Sequence, residues 1–458
     1  MLKSAPRRGV LLAGILLFAA TPGFAADREL VRALKEHDSR AITARFRTLA
    51  KEDPETAAKE IPAAITKIEL NDADEYHVQD RYQVFVQAIS ALKRMGSPKA
   101  HKILEAQVEK GKKWPARLVA LQAGLQIRSV DGKGWAITAM NDEAPQVVQA
   151  AARALGFSQD ILAIPPLIDG MKKWEKSGTR EKAARRGRKG VGEDASGRVW
   201  LACRDALERL TGESLHSAVG YETYYSAHRD KIDPKNPKPQ NKEKRTGLGL
   251  FGLEITGKNI AFILDISGSM LSSDPLTEEQ IEKLRRGTTV GEGKSPLEKA
   301  MMEDRRRIVR AKKELGRVIE GLSEDRNFNL IAFSTDVSPW QKVLVSADKK
   351  KRAAAKKFID SLAAEGITVT DWALREALAD PKIDTIYLIT DGAPTHVGMR
   401  GRGLPPDSKE LMKRIHDETQ AVNHLRGVRI FTLGFEGAEE GFLEKLSEEN
   451  GGRYVRIE

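Results

Sequence analysis

The sequence is almost free of cysteine: Cys203 is the only one among 458 residues. An internal disulfide is therefore impossible, which excludes a fold held together by disulfide bonds. Cys203 occupies an apolar helical position within residues 199–207. A cysteine in such a position is typically a small buried hydrophobic residue, so we expect an inert thiol rather than a reactive one.

The motifs of common hydrolases are also missing. None of the eight histidines stands in an HExxH or other paired metal-binding spacing. No G-x-S-x-G nucleophile elbow is present, because Gly268 lies between Ser267 and Ser269. His396 follows Asp391 closely, but a histidine in a loop is more often simply solvated. These absences favour a binding protein over an enzyme.

Aromatic residues are scarce, at 6% of the chain, although the formal net charge is +11. Much of the positive charge lies in clusters at residues 172–189, 231–245 and 349–357. No stacking aromatic side chains are interleaved with these bases, which argues against nucleic acid as a partner. Solvated loops and helix faces are the ordinary explanation of such runs; as an electrostatic partner, we favour an anionic envelope surface.

Long hydrophobic runs are limited to one, at the amino terminus. Lys3, Arg7 and Arg8 precede an apolar run at residues 9–20, and residues 23–25 match a cleavage pattern with the small residues Gly23 and Ala25. This pattern predicts a secretory signal peptide over residues 1–25, because the run is too short to span a membrane as a helix. We therefore expect a periplasmic or secreted protein without a membrane anchor.

Residues 26–230 read as helices alone, with recurring alanine-rich amphipathic segments. Residues 117–125, 147–155 and 199–207 superpose as similar patterns. Helix pairs that bury small alanines against the next pair are typical of α-solenoids. Residues 97–212 therefore resemble HEAT repeats, which predicts a second interaction surface; an ordinary helical bundle is the alternative.

Residues 231–247 are basic and rich in proline, and they predict an exposed linker. The segment lacks the apolar side chains that firm docking requires. We therefore expect the helical half and residues 248–458 to be separable and to have no common core. Residues 247–255 are expected to lead into the first strand and to pack against the sheet edge.

A buried-strand pattern at residues 260–264 ends directly at Asp265, Ser267 and Ser269. Carboxylate and hydroxyl oxygens are the ligands that a hard cation such as magnesium prefers. Open α/β sheets bind ligands at the carboxyl ends of their strands. Taken alone, this short pattern is equally typical of a solvated turn.

Later segments favour the cation site. An apolar alternation at residues 327–333 predicts another strand, and residues 366–371 form a hydroxyl-rich loop before a helix at 372–378. Residues 383–390 repeat the buried-strand pattern and end at Asp391. Asp265, Ser267, Ser269, Thr368 and Asp391 should therefore share one edge of a parallel sheet.

This arrangement resembles the metal-ion-dependent adhesion site of the von Willebrand factor A domain, and the likeness covers about residues 257–458. A strand at residues 428–434 and a last helix with its exit at 441–454 also match the family. The resemblance implies an α/β doubly wound fold with a mostly parallel sheet, so that the chain as a whole is multidomain.

The resemblance also implies the roles of the site residues. Ser267 and Ser269 would bind Mg²⁺ or Mn²⁺ directly, and Asp265 and Asp391 directly or through water. Thr368 would join in one state of the site, with Thr370 as the rival for that role. An acidic side chain of a protein ligand would complete the cation's shell.

One segment departs from the family pattern. The first amphipathic helix is predicted only at residues 305–322, which leaves residues 271–304 as an insertion beside the site. We expect this insertion to influence partner choice, with a disordered loop as the alternative. The sequence therefore predicts an exported, metal-dependent scaffold protein; the alternative is a metal-assisted hydrolase of the cell envelope.

Overall fold

A computed structural model describes residues 27–68, 75–177, 193–238, 248–274, 282, 303–395 and 408–457. The predicted signal peptide, residues 239–247 of the linker, most of the insertion and His396 lie outside the described residues. Within the described ranges, no helix combines the length and the apolar character that crossing a membrane requires.

The first half of the chain is helical, as predicted. Its α-helices are α1 Arg28–Lys35, α2 Ser39–Glu52, α3 Pro54–Ile65, α4 Glu75–Leu92, α5 Pro98–Lys110, α6 Trp114–Gly124, α7 Gly132–Ala139, α8 Pro145–Gly156, α9 Ile164–Ser177, α10 Glu193–Thr211 and α11 Ala218–His228. Asp38, Asp53 and Ser97 begin helices by accepting hydrogen bonds from free backbone N–H groups. Such capping satisfies donors that have no partner within the helix.

The alanine-rich segments lie on α6, α8 and α10, where they allow close packing of helices. A side chain on Gly156 of α8 would come within 2.9 Å of the Ala206 backbone and side chain on α10. Cys203 is buried in the same region, and burial raises the pKa of its thiol to about 12. The buried position of Cys203 is therefore confirmed, while the division into HEAT-like repeats stays a prediction.

A mostly parallel sheet forms the second half, as the resemblance implied. Its strands are β3 Asn259–Asp265, β4 Asn327–Phe333, β5 Val337–Pro339, β6 Val345–Ser346, β7 Thr385–Thr390, β8 Arg429–Gly434 and β9 Tyr454–Arg456. They lie in the order β5-β4-β3-β7-β8-β9, with β6 also paired to β4. Among the described strands of this sheet, only β5 and β6 pair antiparallel with their neighbour.

Helices cover both faces of this sheet. They are α12 Arg307–Gly321, α13 Lys349–Ser361, α14 Thr370–Ala379, α15 Ser408–Arg426 and α16 Glu440–Glu449. Along β3, Phe262 and Leu264 join the core formed with α12 and α13, while Ala261 and Ile263 join the core formed with α14, α15 and α16. This alternation explains why the strand is apolar throughout.

The segment before β3 differs from the prediction. Instead of packing against the sheet edge, it forms a separate two-stranded hairpin, β1 Gly249–Leu250 and β2 Leu253–Glu254. Leu250 and Leu253 are buried in the core that contains α12. The Phe251 backbone N–H also donates to Glu314 Oε1 on α12 over 2.9 Å. A helix face, rather than a strand edge, therefore holds this segment.

The two halves are in contact, so the expectation that they have no common core is wrong. Ala421 and Leu425 of α15 belong to the hydrophobic core of the helical half. Ion pairs also cross the boundary: Arg204–Glu254 at 3.2 Å, Arg453–Glu208 at 3.1 Å, and Arg429–Asp205. The exact domain boundary stays a proposal, but the linker alone does not hold the halves together.

His424 of α15 makes this contact sensitive to pH. Burial and the nearby Arg153 guanidinium lower the pKa of His424 to about 4. An imidazole with a pKa lowered on folding stabilises the protein above its unfolded pKa of about 6.5, and that contribution is lost as the pH falls toward 4. We therefore expect the free energy of unfolding to fall by up to about 3 kcal/mol between pH 6.5 and 4 because His424 becomes harder to keep neutral.

Denaturant unfolding at several pH values measures this effect. His424→Gln should show a smaller loss of stability between pH 6.5 and 4 than the unchanged protein. His228→Gln, on α11, is the matched control and should follow the unchanged protein. An identical pH profile for all three proteins would contradict the prediction.

Candidate metal centre

The candidate site lies where neighbouring parallel strands end. β3 ends at Asp265, and the adjacent β7 ends at Thr390, directly before Asp391. Two backbone hydrogen bonds join the loops around the site: Glu365 N–H to Ile266 O over 2.8 Å and Gly268 N–H to Gly366 O over 3.0 Å. The fold therefore brings the serine loop and the threonine loop together.

A chain of hydrogen bonds connects the predicted site residues. Asp265 Oδ1 accepts from the Ser267 backbone N–H over 2.8 Å, and the hydroxyls of Ser267 and Ser269 lie 3.0 Å apart. The Ser269 hydroxyl donates to Asp391 Oδ1 over 2.6 Å. Thr390, a residue that the sequence reasoning missed, donates its hydroxyl to Asp265 Oδ2 over 2.5 Å.

Thr368 faces the same site across Gly392. A side chain at Gly392 would come within 3.2 Å of Thr368 Oγ1 and 3.6 Å of Ser269 Oγ. The lack of a side chain at this position therefore keeps the space between the two hydroxyls open. Thr370 is also buried, but its Oγ1 has no hydrogen-bond partner among the described residues.

Burial differs among these side chains. Asp265, Ser267, Thr368 and Asp391 are almost fully buried, whereas Ser269 is exposed. Burial raises the pKa of Asp265 to about 6, against the opposing effect of its hydrogen bonds from Thr390 and Ser267. The site therefore opens to solvent beside Ser269 and holds a carboxylate whose charge is poorly compensated by the protein alone.

An arginine that the sequence reasoning missed contacts the site. Arg307 Nη1 donates to Asp391 Oδ2 over 2.7 Å, and Arg307 Nε donates to Asp274 Oδ1 over 3.1 Å. Burial lowers the pKa of Arg307, but the bonds to Asp391 and Asp274 outweigh it, so that the pKa is raised overall. Arg307 therefore stays charged and neutralises part of the acidic site.

A signal for Arg307 is present in the sequence. Arg305, Arg306 and Arg307 stand together at the start of α12. The amino terminus of a helix carries partial positive charge, so a run of arginines there is unfavourable unless acidic groups lie nearby. In the structure, Asp274 and Asp391 are the acidic groups beside the first turn of α12.

The ends of the insertion meet beside the site. Ser273 and Arg306 form an antiparallel β-bridge. Backbone hydrogen bonds run from Asp274 N–H to Arg305 O over 3.2 Å and from Arg307 N–H to Ser272 O over 3.0 Å. We call this paired segment, residues 272–274 with 305–307, the insertion neck. Through Arg307, the insertion neck is directly connected to Asp391.

The family profile of the von Willebrand factor type A domain matches residues 305–456. This match covers α12 to β9, which together with β3 form the doubly wound half. The second half of the chain is a von Willebrand factor type A domain. Domains of this type are protein-interaction modules, and this one places its candidate site at the carboxyl ends of β3 and β7.

Similar curated proteins match the same half of the chain. Inter-alpha-trypsin inhibitor heavy chain H3 from Homo sapiens is 27% identical over 209 residues, which is 45% of this chain and 20% of that protein. Heavy chain H4 from Bos taurus is 26% identical over 212 residues, 44% of this chain and 18% of that protein. The matched region thus spans about a fifth of these relatives.

Solved structures that match part of this chain include a von Willebrand factor type A protein from Catenulispora acidiphila. It is 20% identical, with a TM-score of 0.29, over 44% of this chain and 39% of that chain. The PilB minor pilin from Streptococcus sanguinis is 17% identical, with a TM-score of 0.30, over 44% of this chain and 58% of that chain.

The described side chains fit a hard cation. Carboxylates of Asp265 and Asp391 and hydroxyls of Ser267, Ser269 and Thr368 supply only oxygen, which Mg²⁺ and Mn²⁺ prefer. Among the described residues, no group of three or more His, Cys, Asp or Glu side chains is placed to hold a metal. Any cation bound here would thus have few charged protein ligands.

Matched valine substitutions distinguish the two threonines. Thr368→Val should weaken cation binding about tenfold, because it replaces a candidate ligand hydroxyl by a methyl group. Thr370→Val should leave cation affinity unchanged and stabilise the fold by about 1 kcal/mol, because a buried hydroxyl without a partner is removed. Calorimetric titration and denaturant unfolding measure both effects; the reverse pattern would assign the ligand role to Thr370.

Proposed function

We propose that the protein is a metal-dependent binding protein whose type A domain captures a partner carboxylate through a bound Mg²⁺ or Mn²⁺. The observation that carries the proposal is the hydrogen-bonded chain from Ser267 through Ser269 to Asp391, next to Asp265. Ser267, Ser269 and Thr368 would hold the cation through their hydroxyls, and Asp265 and Asp391 directly or through water. When bound, the cation supplies an electrophilic coordination position for the partner.

The charges around the site support an acidic ligand. The two carboxylates balance a divalent cation, and the Arg307 guanidinium beside Asp391 adds a further positive charge. A loaded site would therefore carry excess positive charge at the exposed Ser269. An acidic side chain of a protein would be attracted to this point and would complete the coordination shell.

The other expectations belong to the same proposal. The chain is exported, with residues 1–25 as its signal peptide, and its helical half offers a second interaction surface. The insertion adds selectivity around the site, to which its neck is joined through Arg307. The protein acts as a scaffold rather than an enzyme, because each described carboxylate of the site is engaged by hydroxyl or guanidinium groups.

A capture experiment tests the proposal. The full chain is immobilised and exposed to an envelope fraction with Mg²⁺ or with a chelator. A partner should be retained with Mg²⁺ and released by the chelator, and Ser269→Ala should not retain it. Ser272→Ala, the same substitution at an exposed serine outside the site, is the control and should bind normally.

Two results would contradict the proposal: retention that is independent of Mg²⁺, and equal retention by both serine variants. Turnover of generic ester or phosphate substrates by the metal-loaded protein would instead favour the alternative of a metal-assisted hydrolase. Loss of that turnover in Ser269→Ala would assign it to this site.

Arg307 provides a further prediction about the site. Arg307→Met removes the positive charge beside Asp391 and keeps most of the side-chain volume. We expect cation affinity to rise about tenfold, because one unit charge near a partly buried site contributes on the order of 1 kcal/mol or more. Partner affinity should fall, since the loaded site would be less positive.

Titration with Mn²⁺ measures the change in cation affinity, and partner capture measures the change in partner affinity. Arg310→Met is the control, because Arg310 pairs with Asp274 but no described contact joins it to Asp391. If Arg307→Met lowers cation affinity, the main role of Arg307 is to orient Asp391 rather than to neutralise it.

A further inference from the structure

A small cavity lies between the helical half and the type A domain, and none of the candidate metal-site residues lines it. Its volume is about 20 Å³, and Arg153, Arg209, Arg429 and Asp205 line it together with Phe157. A cavity of this size holds one particle as large as a water molecule. Most of its polar lining residues are arginines, so the charge of a bound particle decides how well it fits.

Arg429 is the most deeply buried of these side chains. It is 2% exposed, and its Nη1 donates to Thr256 Oγ1 over 2.8 Å, while Nη2 pairs with Asp205. The third guanidinium nitrogen, Nε, has no hydrogen-bond partner among the described residues. A buried N–H without an acceptor is costly, so a small acceptor bound in the adjoining cavity would stabilise this arrangement.

The other two arginines have weak or no carboxylate partners. Arg153 donates to the carbonyl oxygens of Gly427 over 3.2 Å and Asn450 over 3.3 Å, and no described carboxylate pairs with it. Among the described residues, Arg209 approaches a carboxylate at 3.9 Å, on Glu448, and its guanidinium lies over the Phe157 ring at 4.1 Å. Burial, followed by repulsion from Arg429, lowers the pKa of Arg153 to about 10, against the opposing attraction of Asp205. The guanidinium groups that line the cavity therefore carry more positive charge than the Asp205 carboxylate beside them can balance.

The surrounding ion pairs do not remove this excess. Carboxylates at the boundary pair with Arg204, Arg429 and Arg453, and distantly with Arg209; these carboxylates are Asp205, Glu208, Glu254 and Glu448. No described carboxylate lies within ion-pair distance of Arg153, although Asp205 attracts it from further away. A monovalent anion would neutralise this charge, whereas a water molecule would not.

We propose that this cavity binds one small monovalent anion of the halide class, held by Arg153, Arg209 and Arg429. A cavity of about 20 Å³ fits a single small ion. Asp205 Oδ1 also lacks a hydrogen-bond partner among the described residues, so a bridging water is the competing occupant. The guanidinium groups that line the cavity outnumber this carboxylate, and they favour the anion.

The anion would act as a link between the halves. Arg153 and Arg209 belong to α8 and α10 of the helical half, whereas Arg429 begins β8 of the type A domain. Guanidinium groups from both halves would thus contact the same anion. Because a ligand that binds only the folded state stabilises it, halide should raise the unfolding temperature of the whole chain.

Two measurements on the full chain test the proposal. Crystals grown with bromide in place of chloride should show an anomalous scattering peak inside the cavity. In solution, the unfolding temperature should rise and saturate with chloride at constant ionic strength, when gluconate is replaced by chloride. We expect a rise of about 2 °C at chloride ten times its dissociation constant.

Variants assign the effect to this site. Arg153→Gln should abolish the chloride dependence, and Arg153→Lys should retain part of it. Arg375→Gln, which removes a surface arginine paired with Glu418, is the control and should behave as the unchanged protein. Absence of the bromide peak, or a chloride effect that persists in Arg153→Gln, would overturn the proposal and leave a water molecule in the cavity.

Discussion

Replacing Asp265 with asparagine should abolish binding of Mg²⁺ and Mn²⁺ while leaving the fold intact. The substitution keeps the size of the side chain, and its amide can accept from the Ser267 N–H and donate to the Thr390 hydroxyl oxygen. It removes one of only two carboxylates that the site offers a cation. We expect at least a hundredfold loss of affinity, on the order of 3 kcal/mol, because a divalent cation near a buried site depends strongly on each negative charge.

When no metal is bound to either protein, Asp265→Asn should be more stable than the unchanged protein. The pKa of Asp265 is raised to about 6, from 3.8, by burial. For an acid with a raised pKa, the stabilising contribution is present below pH 3.8 and is lost as the pH rises through 6. At pH 7.5 the charged carboxylate therefore costs stability, and the neutral amide should recover about 1–2 kcal/mol.

Calorimetric titration and chemical unfolding in the presence of a chelator measure these two effects. Asp384→Asn is the matched control, because Asp384 is also buried with a raised pKa, but it lies before β7 at the opposite edge of the sheet. That variant should bind the cation normally. Unchanged cation affinity in Asp265→Asn would remove Asp265 from the site.

Cutting the chain in the linker should not separate the two halves. A protease site introduced within residues 239–247 should yield two fragments that elute together in gel filtration. Ala421 and Leu425 of the type A domain are buried in the helical core, and ion pairs add to this contact. Separation would expose apolar surface and leave charges unpaired on both sides.

Arg429→Gln should release the cut fragments from one another. Arg429 joins β8 to Asp205 of α10, and removing one member of a buried ion pair typically costs about 3–5 kcal/mol. Arg375→Gln is again the control, since its ion pair with Glu418 lies within the type A domain. Fragments that separate without any substitution would show that the linker is the main connection.

The strands that position the site could be predicted from the sequence. Residues 260–264 are an apolar run, residues 327–333 an apolar alternation and residues 383–390 a buried-strand pattern, and the structure has the strands β3, β4 and β7 there. A strand such as β3, which is buried on both faces, has no polar position to obscure its pattern. Because the carboxyl ends of parallel strands share one edge, the grouping of Asp265 with Asp391 followed from those strands alone.

Contacts between charged side chains could not be predicted in the same way. Arginine is usually exposed at a protein surface, yet Arg204, Arg429 and Arg453 form ion pairs that join the two halves. Nothing in the spacing of a sequence specifies which carboxylate a long side chain will reach. The β1–β2 hairpin was missed for a similar reason, since Leu250 and Leu253 pack equally well against a helix or a strand edge.

The insertion neck has a consequence for how this domain can be altered. The chain leaves at Ser272–Asp274 and returns at Arg305–Arg307 on hydrogen-bonded, adjacent positions. The cost of closing a loop rises only slowly with its length, so segments of very different size can span the same two ends. The segment between the two ends of the neck can therefore be exchanged for another without moving Asp265, Ser267 or Asp391.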